Sequence, residues 1–210
     1  MKGAIFDVDG TILNSMGAWF DATDKFFKER DIHMTPEEIN VFKEMPLEES
    51  IPKIRNDNNL DMTVEEIFAW FLKYVGNEYE HTIPAKAGVC EYIKRLHDDG
   101  VKIAIATSGY RDMCETSFKR LGIWQYIDAC AFSSEVGVNK SNPDVYLLAA
   151  ERIGITPDDC TVFEDIVTGL QGAKKGGFKT IGVADESNEM QRDEMKELAD
   201  RFIEDFTELL

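Results

Sequence analysis

The chain has 210 residues, 43% hydrophobic and 10% aromatic, which is enough to bury a core and excludes a wholly disordered protein. Acidic residues number 40 against 23 lysines and arginines, a formal net charge of -17. Such a surface repels phosphodiester backbones and anionic lipid, so neither nucleic acid nor a membrane is expected as principal partner.

Gly3–Val8 is a short apolar run that predicts a buried parallel strand. It follows Met1-Lys2 directly, so no signal peptide is expected, and no apolar stretch approaches the roughly 20 residues of a membrane span. The expectation is a cytoplasmic protein. Residues 14–83 then read as helices alone. Trp19, Phe26 and Phe27 suit the apolar side of a first helix, Thr35-Pro36-Glu37-Glu38 starts a second, and Thr63-Val64-Glu65-Glu66 is a capping box. Ile67, Trp70, Phe71, Tyr74 and Val75 continue that last helix at helical spacing.

From Pro84 onward, strand and helix take turns. A helix over Val89–His97 presents Val89, Ile93 and Leu96 on one face, and Gly100 stops it before a strand over Val101–Thr107. Further strands are predicted at Ala129–Ser133, Cys160–Phe163 and Thr180–Val183. Helical patterns at Met113–Leu121, Pro143–Ile153 and Gly169–Lys175 separate them. The acidic tail from Asp185 to Leu210 reads as a solvated helix face and a final short element. Cys90, Cys114, Cys130 and Cys160 lie far apart, which suits reduced core thiols. Alternation of this kind predicts an α/β fold, a doubly wound parallel sheet, with a core from 1–13 and 84–210 and a helical insert at 14–83.

Asp7-Val8-Asp9-Gly10-Thr11 follows the first strand, where open parallel sheets bind ligands. Strand alternation sends Asp7 and Asp9 the same way, and two carboxylates so close repel unless a cation lies between them. Thr107-Ser108-Gly109 ends the second strand with a hydroxyl and backbone N–H groups apt for phosphate oxygens. Lys140 precedes Asn142-Pro143-Asp144 at a helix start, and Glu164-Asp165 end the fourth strand. Four acids, a lysine and a threonine at strand ends make a site for a hard cation and a phosphate.

Those residues resemble the haloacid dehalogenase-like (HAD) hydrolase superfamily, in the helical-cap branch that includes beta-phosphoglucomutase and phosphoglycolate phosphatase-like enzymes. Asp7-Val-Asp9-Gly-Thr matches its first motif, Thr107 the second, Lys140 with Pro143-Asp144 the third, and Phe163-Glu164-Asp165 with Gly169, Ala173 and Gly177 the fourth. The resemblance implies a Rossmann-like core, Mg2+ and an aspartyl-phosphate intermediate. Asp7 is then the nucleophile and Asp9 the general acid–base. Asp7, the Asp9 backbone carbonyl and Asp165 hold the metal, with Glu164 supporting. Gly10, Thr107, Ser108, Gly109 and Lys140 contact the phosphate. An acid at Asp9 argues against dehalogenation, which needs no proton on the leaving group.

Several positions depart from the family pattern: Asn139 and Ser141 flank the lysine where glycine and proline are usual, Ile166 replaces a serine, and Asn14 an acid. Leu47 stands where the mutase carries an arginine for a second phosphate, and Trp19 where it has a histidine. Trp19 and Met16 fit either a leaving-group pocket or helix packing. The expected function is a Mg2+-dependent phosphatase for a small phosphorylated metabolite, acting as a monomer or small homo-oligomer. A sugar-phosphate mutase and a non-catalytic binding protein of the same fold are the alternatives.

Overall fold

A computed structural model of the chain describes residues 1–35 and 47–210. The helix start expected at Pro36-Glu37-Glu38 lies outside the described residues. Contacts divide the chain into two compact units, Met1–Ser15 with Ile83–Leu210 and Met16–Thr82.

The first unit is built on six parallel strands in the order β3-β2-β1-β4-β5-β6. They are β1 (Gly3–Phe6), β2 (Lys102–Thr107), β3 (Ala129–Phe132), β4 (Cys160–Glu164), β5 (Lys179–Val183) and β6 (Arg201–Ile203). Among them β6 lies in the acidic tail read as a helix face and a final short element, after a helix over Arg192–Leu198, and that element is a strand. Three residues between charged neighbours are too few to show a period, and pairing with β5 decides their state.

Both faces of the sheet are covered, and the period of two along each strand sorts its side chains between them. Phe6 and Phe163 stack at 4.4 Å between ring centres, joined by Tyr92 and Phe206 on one face. Ile5 and Val162 go to the other face with Val145, Tyr146 and Ala149. Those last three belong to a helix over Asp144–Ile153, and a further helix over Val167–Lys175 adds Ala173 to the same cluster. Cys114 and Cys160 are buried and Cys90 and Cys130 half-buried, and burial holds all four thiols above the usual range, hence protonated.

The segments leaving and re-entering this unit are paired with each other. Asn14 N–H donates to the Pro84 carbonyl at 2.9 Å and Lys86 N–H to the Ile12 carbonyl at 2.8 Å, around an antiparallel bridge between Leu13 and Ala85.

In the second unit, helices run over Met16–Glu29, Leu47–Asp57 and Val64–His81. The capping box forms: Glu66 N–H donates to Thr63 Oγ1 at 3.1 Å, and the Glu66 carboxylate accepts from Thr63 N–H at 2.8 Å. Phe26 and Phe71 are buried with ring centres 5.1 Å apart, and the Arg30 guanidinium covers Phe26 at 3.7 Å. Trp19 is half-buried, its indole N–H donating to Tyr79 Oη at 3.2 Å, so it packs within this unit. No helix of the described residues is long and apolar enough to cross a membrane.

One close approach in the first unit is set by a glycine. A Cβ on Gly172 would stand 1.9 Å from the Lys140 carbonyl oxygen, so only glycine lets the Val167–Lys175 helix lie against the Lys140 loop. Gly172→Ala is expected to cost about 1–3 kcal/mol through overpacking. A thermal melt should show a fall of roughly 2–4 °C for each kcal/mol lost. An unchanged melting temperature would refute this account of the contact.

Candidate active site

The sheet order reverses between β1 and β4, and ligand crevices of doubly wound sheets open at such a point, beyond the carboxyl ends of the strands. Phe6 pairs in register with Phe163, and Asp7 N–H donates to the Phe163 carbonyl at 3.0 Å. That register sets Asp7 beside Glu164. Alternation turns both toward the face occupied by Tyr146, since Ile5 and Val162 precede them by two.

Asp7, Glu164 and Asp165 form one buried group in which one carboxylate oxygen from each lies within 4.8 Å of the other two. Lys140, 7% exposed, reaches into it and donates to Asp7 and, at 2.6 Å, to Glu164. Tyr146 Oη donates to the same Glu164 oxygen at 2.6 Å. A Cβ on Gly169 would stand 2.4 Å from the Glu164 carboxyl carbon, so the helix after β4 clears the space that carboxylate fills. Gly10, at φ +87°, does the same for Asp165, whose Oδ2 would lie 2.1 Å from an added Cβ. Thr11 Oγ1 donates to Asp165 Oδ1 at 3.2 Å and Asn188 Nδ2 to Oδ2 at 2.7 Å.

The electrostatics follow from crowding. Burial pushes Glu164 up to about 7, with Asp7 adding to the rise and Lys140 opposing it. Burial raises Asp165 well above the usual carboxylate range, reinforced by Asp7 and Glu164. Burial works against the Lys140 ammonium, but Asp7 and Glu164 outweigh it and hold the lysine protonated. One ammonium against three carboxylates leaves two negative charges uncompensated when all are ionised. Glu164 Oε2 is buried without a hydrogen-bond partner. Uncompensated charge, an orphaned oxygen and an all-oxygen donor set together fit a hard divalent cation.

Asp9 is not among the three grouped carboxylates. The chain leaves the strand at Phe6 and turns, with Val8 O accepting from Ile12 and Leu13 N–H at 2.9 and 2.8 Å. Its Oδ1 accepts from Ser15 Oγ at 2.6 Å, and its Oδ2 lies toward Gly109. Thr107 is buried at the end of β2. Gly109 N–H donates to Thr107 Oγ1 at 2.9 Å, so that amide, expected to be open, is engaged within its own loop. Ser108 is exposed and shares a hydrogen bond with Ser133 at 3.0 Å. Sequence reasoning missed Tyr146 and Asn188. Tyr146 reads as one more apolar position on its helix, and Asn188 lies in the acidic tail, where no spacing marks it.

Comparison with known proteins places this geometry. A family model described as haloacid dehalogenase-like hydrolase matches residues 4–183. The phosphorylated carbohydrates phosphatase of Thermotoga maritima is 26% identical over 185 residues, 86% of this chain and 84% of its own length. Crystal structures of similar fold include CbbY from Rhodobacter sphaeroides with phosphate, at a TM-score of 0.84 and 23% identity, covering 100% of this chain and 96% of that one. Another is beta-phosphoglucomutase from Clostridium difficile, at a TM-score of 0.76 and 19% identity, covering 100% and 93%.

The raised Glu164 ties stability to pH. Folded molecules keep its proton between 4.5, its ordinary value, and about 7, while unfolded ones release it. The stability it contributes is therefore full below that window and lost as pH rises through it. In EDTA, the unfolding free energy of the wild type should fall relative to Glu164→Gln by up to about 1.4 kcal/mol per pH unit across the window. Parallel denaturation curves at every pH would contradict the assignment.

Proposed function

The chain belongs to the haloacid dehalogenase-like hydrolase family, and from that premise we propose that it is a Mg2+-dependent phosphatase acting through an aspartyl-phosphate. The observation carrying this reading is the buried group at the β1–β4 switch: a carboxylate at a strand end, clamped by a protonated lysine and flanked by two more acids. A non-catalytic binding protein gains nothing from so costly an arrangement.

Asp7 attacks phosphorus, and the bond from phosphorus to the ester oxygen breaks. Asp9, held by Ser15 at 2.6 Å, gives its proton to the departing oxygen. The same carboxylate then takes a proton from the water that attacks the acyl phosphate, so phosphate leaves and Asp7 is restored. Lys140 balances charge at Asp7 and at the phosphoryl oxygens, with Gly10, Thr107, Ser108 and Gly109 bounding the place those oxygens take. Asp7, the Asp9 carbonyl and Asp165 would hold Mg2+, with Glu164 behind them. When bound, Mg2+ supplies the positive charge that lets an anionic ester approach an anionic nucleophile.

A relative that acts on phosphorylated carbohydrates supports a sugar phosphate or similar small metabolite as substrate. The residues above address only the phosphoryl group, so selection among esters falls to other parts of the chain.

A panel of sugar phosphates, phosphoglycolate, nucleotides and pyrophosphate should reveal phosphate release with Mg2+ and none in EDTA. Asp7→Asn should yield no phosphoenzyme from a labelled substrate. Asp9→Asn should lose roughly 10²–10⁴ in rate on an alkyl phosphate. Full turnover by Asp7→Asn would defeat the mechanism, and isomerisation without phosphate release would mark a mutase instead.

A further inference from the structure

Beyond β5, the segment Glu186–Gln191 grips the turn that carries Asp165 from both sides. Asn188 Nδ2 donates to Asp165 Oδ2 at 2.7 Å, and Gln191 Oε1 accepts from Val167 N–H at 3.0 Å, two residues further on. The segment is itself anchored. Lys86 Nζ donates to Asp185 Oδ2 at 2.6 Å and to the Ala184 carbonyl at 3.0 Å, and both side chains of that ion pair are nearly buried. Asp185 Oδ1 accepts from Ser187 N–H at 2.9 Å, and Asn188 N–H donates to the Asp185 carbonyl at 3.1 Å. At Asn188 the backbone leaves helical values (φ -114°, ψ 19°), kinking the segment where its amide meets the carboxylate.

Asp165 needs such support. It is 2% exposed in a group of three carboxylates, and repulsion from Asp7 and Glu164 favours any rotation that carries its oxygens away from theirs. Thr11 fixes one of its oxygens from the motif side. A neutral amide on the second oxygen holds the plane of the carboxylate while leaving its charge intact and further lone pairs unused. A lysine there would bring an opposing charge and weaken the pull on a cation. We propose that Asn188 is a positioning residue for Asp165, orienting its carboxylate toward the divalent cation; this rests on the metal reading given above.

Metal uptake by the EDTA-stripped protein tests it, with calorimetric titration of Mg2+ as the readout and melting temperature in EDTA as the measure of folding. Asn188→Ala should raise the Mg2+ dissociation constant about 10–100-fold, the usual effect of removing a partner behind a ligand. Asn188→Leu keeps the bulk without the donor and should show the same loss, which covers a folding defect in the smaller variant. Ser187→Ala removes the hydroxyl that donates to Asp185 Oδ1, loosening the same turn without touching Asp165, and should bind Mg2+ as the wild type does. Wild-type affinity in both Asn188 variants, or an equal loss in Ser187→Ala, overturns the assignment to Asn188. No uptake by the wild type, or uptake indifferent to Asp165→Ala, overturns the metal reading itself and this inference with it.

Discussion

Three carboxylates occupy a buried space in which oxygens of each come within 4.8 Å of the others, with one lysine to answer them. In a medium of low dielectric such a group is expensive, and water cannot screen it. Much of the unit is arranged around keeping it together. The β1–β4 register brings Asp7 beside Glu164, and two glycines vacate the volume those acids fill. A third glycine lets a helix press on the backbone that carries Lys140. Each contact is weak alone. Together they hold like charges close enough that a divalent cation among them would relieve the repulsion.

The same crowding assigns different states to neighbouring groups. Lys140 stays charged because two acids outweigh its burial. Glu164 and Asp165 are driven toward the protonated form by burial and by each other. Asp9, outside the grouped carboxylates and bonded to a serine hydroxyl, has different surroundings from Asp7. Two acids of one short motif thus reach different environments through a single turn, and different tasks become available to them.

Most of the sheet was legible because a parallel strand buried on both faces leaves a mostly apolar run, as within Gly3–Val8 and Val101–Thr107. Site acids at strand ends were legible for the same reason: the run stops where they start. The failures have particular causes. Alternation does not carry as far as Asp9, because the strand ends at Phe6 and a turn follows. β6 is too short to carry a pattern, and it exists through its partner. Tyr146 uses its ring as core and its hydroxyl as a site group, and periodicity sees the ring alone. Asn188 acts across 23 positions of sequence, which local reasoning cannot span.

The pairing of Ile12–Asn14 with Pro84–Lys86 bears on how the chain tolerates change. Everything between those two segments is an excursion whose mouth is already closed by backbone hydrogen bonds. For the sheet, the length of that excursion enters as loop-closure entropy, which grows by about 0.6 kcal/mol for each doubling. Helices could be added to it, shortened or exchanged for others with little effect on the pairing of β1 with β2 and β4. An equal insertion inside the turn after β4 would instead break the contacts that hold Asp165 and would move the helix that clears space for Glu164. This pairing is therefore a seam at which new material can be grafted while Asp7, Glu164 and Asp165 stay together.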